Sequence, residues 1–423
     1  MGALWCVAPA LADAGTLSRR MNAPPSATAR RIDPALVVIL AGVAAALHVG
    51  KLPPAIPALQ NALGLSLLEA AFLLSTVQGA GMCAGVAFGA LADALGLKRS
   101  MLIGMTVLAL ASVLGGASQH VGLLLALRAA EGFGFLLTVL PAPALVRRLV
   151  PPERMSLMLG VWGAYMPLAT ASALLIGPLW IGTLGWRSWW WLLGATTAAA
   201  ALWLARAVPS AITASNSASA LPPLMARLRT TLAARGPWLN ATSFAVYSAQ
   251  WLAVIGFLPS IYTQAGVSGA ATGLLTALAA AVNMVGNIAS GRLLHAGVRP
   301  ITLLAVGFVA MALTSVLAFA GTQGEVAHAG WRYGAVLVFS AVGGVIPGTL
   351  FALAPRVAPN EHTLSTTVGW MQQWSAFGQF VGPPAAAWLA GVVGGWHDTW
   401  LVTGACSLIG LALAAAIARQ PLR

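Results

Sequence analysis

Long apolar segments recur along almost the whole sequence and constrain the fold more than any other feature. A membrane-spanning helix needs about 20 mostly apolar residues, and twelve segments meet this requirement, each bounded by polar residues, proline or glycine. They are 34–57, 68–90, 99–118, 121–145, 156–180, 188–206, 238–262, 270–293, 300–320, 332–354, 363–388 and 398–418. These runs are too long, and alternate too little, for membrane β-strands. The sequence therefore predicts an all-α integral membrane protein with twelve transmembrane helices.

The scarcity of charged side chains excludes several other classes of protein. Only 7% of the 423 residues are charged, whereas a soluble domain carries roughly 25%. A chain with so few charges could not cover a water-exposed surface. We therefore exclude a soluble enzyme, a disordered chain and a free DNA-binding domain, in spite of the net charge of +13.

The positions of the basic residues predict the orientation in the membrane. If the N-terminus is inside, every Lys and Arg except Lys51, Arg128, Arg187 and Arg332 falls in a terminus or a loop on the cytoplasmic side. Cytoplasmic loops of membrane proteins collect Lys and Arg in this way. Both termini are therefore predicted to be cytoplasmic, and the basic net charge reflects topology and not a polyanionic partner.

The apolar segments fall into two groups of six. Residues 207–237, rich in Ser, Ala and Pro, predict a cytoplasmic linker between bundles at 34–206 and 238–418. Residues 419–423 form a short cytoplasmic tail. Residues 1–33 are predicted to be a cytoplasmic N-terminal tail, because the apolar run near the N-terminus lacks the preceding basic residue of a signal peptide.

Short motifs recur in the two groups in the same order, which indicates a duplication. The paired motifs are Gly177-Pro178 with Gly382-Pro383, and Gly185-Trp186 with Gly395-Trp396. Internal repeats of this kind are usual in secondary transporters.

The loop between the second and third segments carries the most specific motif. It runs Gly-Ala-Leu-Ala-Asp-Ala-Leu-Gly-Leu-Lys-Arg over residues 89–99 and resembles the cytoplasmic signature of the major facilitator superfamily. In that superfamily the loop acts as a latch that stabilises the outward-facing state. The residues that match the latch are Gly89, Leu91, Asp93, Gly96, Lys98 and Arg99. The equivalent stretch of the second half has His295 at the acidic position, so a symmetric second latch is in doubt.

The fourth segment places two charged residues, Arg128 and Glu131, within the membrane. They lie three residues apart and so share a helix face, and intramembrane charges mark functional sites by default. The surrounding pattern resembles a second signature of the superfamily, with Glu131 at a position that is usually an uncharged polar residue. In one interpretation, Arg128 binds an anion or tunes Glu131, the only carboxylate well inside a span, which carries the proton. In the other, the pair only holds the helix to its neighbours.

The remaining candidates come from the first, seventh and eleventh segments. His48 and Lys51 share a face of the first segment, and at 1.5 Å per residue Lys51 lies at a depth similar to that of Arg128. In the resembled fold, helices 1, 4, 7 and 10 line the central cavity. The substrate-binding candidates are His48, Lys51, Arg128, Tyr247, Gln250, Trp251 and Gln373. Extension of the Lys51 side chain to the outer interface, a hydrogen-bonded core position for His48, and packing roles for the aromatic and amide side chains remain alternatives.

The resemblance to the major facilitator superfamily covers residues 34–418, with a faint similarity to cyanate-permease-like carriers. It implies two six-helix bundles that rock about a midplane site and expose it alternately to each side. We expect a secondary transporter of a small organic or inorganic anion coupled to protons. Alternatives are a multidrug or metabolite efflux antiporter of the same fold, and a non-transporting membrane receptor or sensor.

The sequence predicts neither catalytic residues nor a cofactor or metal site. It contains no GxxxxGK[ST], HExxH or GxSxG motif, which argues against ATP hydrolysis and membrane proteolysis. The expected partners are a small-molecule substrate, the lipid bilayer and protons, without nucleic acid. The expected setting is a monomer in a bacterial inner membrane.

Overall fold

A computed structural model of the chain describes residues 33–209, 222–321 and 330–420. At positions 86, 88–94, 152, 156–157 and 159–160 only the backbone is described. The predicted tails and the middle of the predicted linker therefore lie outside the described residues, apart from Asp33, Arg419 and Gln420. Within the described ranges the chain forms α-helices joined by short turns and contains no β-strand, which confirms the all-α prediction.

The first six spans follow the apolar segments closely. They are α1 (Pro34–Gly50 and Ile56–Leu63), α2 (Leu67–Thr76 and Gly79–Leu95), α3 (Leu97–Ala117), α4 (Val121–Val139 and Ala142–Leu149), α5 (Pro152–Gly163 and 165–184) and α6 (186–207). Pro53 and Pro54 interrupt α1, because proline lacks the N–H group that would continue the helix. The two parts of α2 meet at a bend of 45°.

Gly185 divides one long helical stretch into two spans. The helix Tyr165–Ala207 has 43 residues, about 65 Å of helix and twice the roughly 30 Å of a hydrocarbon core. Gly185 has φ 78° and ψ 163°, a left-handed conformation that glycine adopts without steric cost. The break separates α5 from α6, as the sequence predicted. With the bent α2 as one span, the described part of the chain holds twelve.

The second six spans repeat this arrangement after the linker. They are α7 (Arg235–Gln264), α8 (Gly269–Ala281 and Asn283–His295), α9 (Pro300–Phe319), α10 (Gly330–Gly343 and Val345–Val357), α11 (Leu364–Val393) and α12 (Thr399–Ala418). A separate linker helix, Leu224–Ala233, precedes α7. Its Thr231 hydroxyl lies 2.7 Å from that of Thr366 at the start of α11, so part of the predicted linker is ordered against the second bundle.

Glycines allow α7 and α11 to pack with their backbones almost in contact. A Cβ atom at Gly378 would lie 2.0 Å from the carbonyl oxygen of Ala245, and one at Gly382 would lie 2.2 Å from that of Ala249. Close approach at small residues is the usual way in which membrane helices gain packing energy. The hydroxyls of Ser248 and Ser375 complete this contact at 2.7 Å.

One of the contacts between the two bundles is where α2 crosses α11. The Gln373 side-chain amide donates to the Met82 carbonyl at 3.0 Å, and Gln78 donates to Gln379 at 3.0 Å. A Cβ atom at Gly81 would lie 2.8 Å from the Cβ of Ala376. This contact places one of the predicted cavity residues, Gln373, at the seam between the bundles.

Candidate functional site

The end of the first part of α1 positions two of the candidate side chains. The helix ends at Gly50, and the prolines that follow leave carbonyl groups near this end in need of other donors. Arg128 Nη1 donates to the His48 carbonyl at 2.7 Å, and the Trp189 indole donates to the Lys51 carbonyl at 3.1 Å. Side chains of α4 and α6 thus bind the end of α1 and hold His48 and Lys51 in place.

Four ionisable side chains form an ionic cluster, which consists of His48, Lys51, Arg128 and Glu131. One carboxylate oxygen of Glu131 accepts from Arg128 Nη1 at 2.5 Å, and the other accepts from the Lys51 ammonium. His48 Nδ1 lies 3.5 Å from the oxygen that Lys51 contacts. On its other edge, His48 Nε2 lies 2.8 Å from the Thr197 hydroxyl.

Neighbouring helices supply further partners for the two cations. Lys51 Nζ donates to the Ser112 hydroxyl at 3.0 Å and lies 4.7 Å from the centre of the Trp190 ring. Arg128 Nε donates to the Leu73 carbonyl at 3.2 Å. Arg128 Nη2 is buried and has no hydrogen-bond partner among the residues that the structure describes. Helices α1, α2, α3, α4 and α6 therefore each supply either a member of the ionic cluster or a group that contacts it.

The ionic cluster is buried and carries surplus positive charge. The exposed fraction is 0% for His48 and Lys51 and 1% for Arg128 and Glu131. With His48 neutral, two cations share one carboxylate, so one positive charge is uncompensated. Charge buried without full compensation is expensive in proteins and within membranes. Lys51 does not extend to the membrane surface, which was one of the alternatives that the sequence left open.

The second bundle holds a different polar group, the neutral network of Tyr247, Trp251, Asn283, Asn287 and Ser340. Asn283 Nδ2 donates to the Tyr247 hydroxyl at 3.0 Å and to the Ser340 carbonyl at 2.9 Å. Asn287 donates to Asn283 Oδ1 at 3.0 Å, and the Trp251 indole donates to the Ser340 hydroxyl at 3.2 Å. The network joins α7, α8 and α10 through uncharged side chains alone.

The two remaining amide candidates lie apart from both groups. Gln250 Oε1 accepts from the Ser407 hydroxyl of α12 at 2.9 Å, while Gln250 Nε2 is buried without a partner among the described residues. Gln373 lies at the contact with α2. The structure thus brings His48, Lys51 and Arg128 together with Glu131, and it distributes the other candidates over three separate places.

The latch residues lie where α2 ends and α3 begins. Gly89, Leu91 and Asp93 belong to the helical backbone of α2, but their side chains lie outside the described part of the structure. Gly96 has φ 84° and separates the two helices. Lys98 is buried and donates to the carbonyls of Ala205 and Val208, at 2.9 and 2.5 Å, whereas Arg99 is exposed. Lys98 therefore caps the end of α6, where a cation complements the helix dipole.

Several members of the neutral network, and the hydroxyl partners of the ionic cluster, were not predicted from the sequence. Ser112 and Thr197 gave no signal, because single hydroxyls in membrane helices commonly bond to their own backbone. Asn283 and Asn287 could have been identified from the sequence, since two amides four residues apart share a helix face and are unusual within an apolar segment.

Several curated proteins resemble parts of this chain. The tetracenomycin C resistance and export protein of Streptomyces glaucescens is 27% identical over 168 residues, which cover 40% of this chain and 31% of that protein. Multidrug resistance protein 3 of Bacillus subtilis is 30% identical over 99 residues, 23% of this chain and 19% of that protein. The chain thus spans less than a third of the length of these curated relatives.

Solved structures share the complete architecture, and the sequence belongs to a known family. An inward-facing, unoccupied bacterial homolog of the human lysosomal transporter Spinster has a TM-score of 0.75 at 15% identity, over 91% of this chain and 96% of that one. The D-xylose-proton symporter gives 0.71 at 15% identity, with the same coverage. Because the sequence model of the Major Facilitator Superfamily also matches residues 35–371, the chain belongs to the major facilitator superfamily.

Proposed function

We propose that this transporter moves a small organic or inorganic anion together with protons, by alternating access in a bacterial inner membrane. The observation that carries the proposal is the surplus positive charge of the ionic cluster. Both termini on the cytoplasmic side and a monomeric state are part of the same proposal, as is a latch role for the loop around Asp93.

A bound anion would compensate the cluster. Lys51 and Arg128 share the single carboxylate of Glu131, so an additional negative charge would bring the buried sum to zero. Arg128 Nη2 has no partner among the described residues, and a guanidinium group binds carboxylates and other oxyanions with paired N–H groups. Both features favour an anion over a neutral or cationic cargo at this site.

The ionic cluster also offers a means of proton coupling. Its groups contact one another directly, so a change in the protonation of one changes the charge that the others experience. Glu131 contacts both cations and is the carboxylate that the sequence indicated as the proton carrier. The neutral network, with Tyr247 and Trp251, together with Gln250 and Gln373, is proposed to contact the uncharged part of the cargo.

Export of an amphipathic compound is a second candidate function. The aromatic and amide groups of the neutral network suit a neutral ligand. Two partial relatives are named for drug resistance or export. In this case the ionic cluster would serve proton antiport and would not contact the cargo.

Flux measurements in proteoliposomes separate the two candidates. The probes are nitrate, phosphate, lactate, succinate and benzoate as anions, ethidium as a cation and xylose as a neutral solute. Under the anion proposal, an inward proton gradient drives saturable uptake of at least one anion, and Arg128→Gln lowers that uptake at least tenfold. The exposed Arg206 at the end of α6 provides the control Arg206→Gln, which leaves uptake unchanged. Proton-driven movement of ethidium or xylose, without movement of any anion, would contradict the proposal.

A further inference from the structure

The four members of the ionic cluster differ in how a proton would change its buried charge. With His48 neutral, the cluster carries one surplus positive charge. A proton added to Glu131 or to His48 would raise the surplus to two, whereas a proton removed from Lys51 would lower it to zero. Because uncompensated charge is costly when it is buried, the last change is the one that burial favours.

Arg128 cannot perform this exchange. A guanidinium group remains protonated in proteins, whereas a lysine amine loses its proton readily when it is buried. Glu131 contacts both cations, and each contact favours its ionised form. The charge arrangement therefore leaves Lys51 as the member that can change its protonation without increasing the buried charge.

The hydrogen bonds around Lys51 accommodate both of its forms. The ammonium has three N–H donors and three acceptors near it: the Glu131 carboxylate, the Ser112 hydroxyl at 3.0 Å and His48 Nδ1 at 3.5 Å. A neutral amine has two donors and one lone pair. The neutral amine can keep donating to Glu131 and Ser112. Its lone pair can accept a hydrogen bond from His48 when the neutral imidazole carries its proton on Nδ1.

His48 and Thr197 make this exchange possible without an unpaired N–H group on Lys51 or His48. An imidazole can carry its proton on either nitrogen, and a hydroxyl can donate or accept. When His48 Nδ1 accepts from Lys51, Nε2 donates to Thr197 at 2.8 Å; when Nδ1 donates, Nε2 accepts from the same hydroxyl. In both forms each N–H of Lys51 and His48 keeps a partner, and an N–H left without one would cost about 1–3 kcal/mol.

The groups that face Lys51 come from every helix packed around it. His48 of its own helix and Glu131 of α4 are the ionisable groups in contact, and Arg128 lies on the far side of the Glu131 carboxylate. Ser112 of α3 accepts a hydrogen bond, and the Trp190 ring of α6 lies 4.7 Å away, where a π face attracts an ammonium. Glu131 and Trp190 favour the charged amine, while burial and Arg128 favour the neutral one.

We propose that Lys51, and not Glu131, takes up and releases the coupled proton, and that His48 is a positioning residue for both forms. The inference rests on the proposed anion transport by the same site. A proton from one side binds the Lys51 amine and creates the surplus positive charge, which then attracts the anion. After the anion leaves on the other side, the ammonium returns its proton to water there. One proton thus accompanies each monovalent anion, and the cycle moves no net charge.

The substitution Lys51→Arg tests the inference, because arginine keeps the positive charge but does not release a proton. The probe is whichever of nitrate, phosphate, lactate, succinate and benzoate the wild type transports fastest. Exchange of this anion across the membrane at equal pH, and its uptake against a gradient driven by pH, are measured on the same vesicles. We expect Lys51→Arg to retain measurable exchange and to lose pH-driven accumulation at least tenfold.

One result would overturn the proposed function, and another would overturn only the assignment of the proton. Wild-type vesicles that move none of the probes with protons would overturn the proposed function itself. Wild-type coupling that persists in Lys51→Arg would overturn only the assignment of the proton to Lys51.

A measurement on the wild type covers the case in which Lys51→Arg does not fold. Calorimetric titration of the same anion, in buffers of different ionisation enthalpy and over a range of pH, gives the number of protons taken up and separates the heat of protonating the protein group from the heat of anion binding. The heat is strongly exothermic for an amine and near zero for a carboxylate. A near-zero heat would contradict the Lys51 assignment.

Discussion

The two bundles share an architecture but differ in how they satisfy their buried polar groups. The first bundle pairs ionised side chains, with Glu131 between Lys51 and Arg128. The second joins α7, α8 and α10 through the hydrogen bonds of Asn283 and Ser340. Under the proposed function, the charged site of the first bundle binds the anion and responds to protons, whereas the neutral network of the second bundle binds the uncharged part of the cargo.

The largest expected effect comes from removal of the only anion in the ionic cluster. Glu131→Ala leaves two buried cations without a counter-charge, and breaking a buried ion pair in this way costs about 3–5 kcal/mol. We expect a clear fall in the midpoint of unfolding in detergent, together with loss of anion uptake. A variant as stable as the wild type would show that Glu131 does not hold the bundle together.

An effect of intermediate size on stability is expected when a methyl group is added to a glycine in a tight helix contact. One such contact is tested in each bundle. In Gly378→Ala the new methyl group would meet the Ala245 carbonyl, a backbone group that cannot turn aside. In Gly42→Ala it would meet the end of the Trp162 ring at 2.3 Å, which is a side chain that can shift.

We expect Gly378→Ala to lower the free energy of unfolding by about 1–3 kcal/mol and Gly42→Ala to lower it by less. Denaturant titration in micelles measures both. Gly391→Ala is the control on α11, since nothing lies within 4 Å of its added Cβ. The opposite order of Gly42→Ala and Gly378→Ala would show that the second bundle adapts more easily than the first.

The smallest effect is expected in the neutral network. Asn283→Leu removes the donor to the Tyr247 hydroxyl and the Ser340 carbonyl, and hydrogen bonds between membrane helices contribute only about 0.6–2 kcal/mol. We expect KM for the cargo to rise about threefold to tenfold, while the number of protons moved per anion stays the same. Tyr247→Phe isolates one of the two bonds and should have a smaller effect. A change in proton coupling would show that the two bundles do not divide their tasks.

The spans could be predicted because the membrane imposes a length and a polarity on each of them. The ends of α3, α9 and α12 lie within two residues of the predicted segments. The break at Gly185 also followed from length, since no single span needs 43 residues. The internal breaks of α8 and α10 were not predicted, because apolar sequence continues through them.

The ionic cluster could be predicted in part for a similar reason. Helical spacing places Arg128 and Glu131 on one face, and a count along α1 places Lys51 at their depth. Spacing says nothing about rotation of one helix against another, so the contacts with Ser112 and Thr197 could not be anticipated. For the same reason, spacing could not show that Gln373 lies at the contact between α2 and α11.

The most direct test of the account is the anion gradient that wild-type proteoliposomes reach at equilibrium under imposed pH gradients and membrane potentials. If one proton moves with each monovalent anion through the ionic cluster, a pH gradient alone sets the equilibrium and an imposed membrane potential leaves it unchanged. A final anion gradient that follows the membrane potential and ignores the pH gradient would contradict the account.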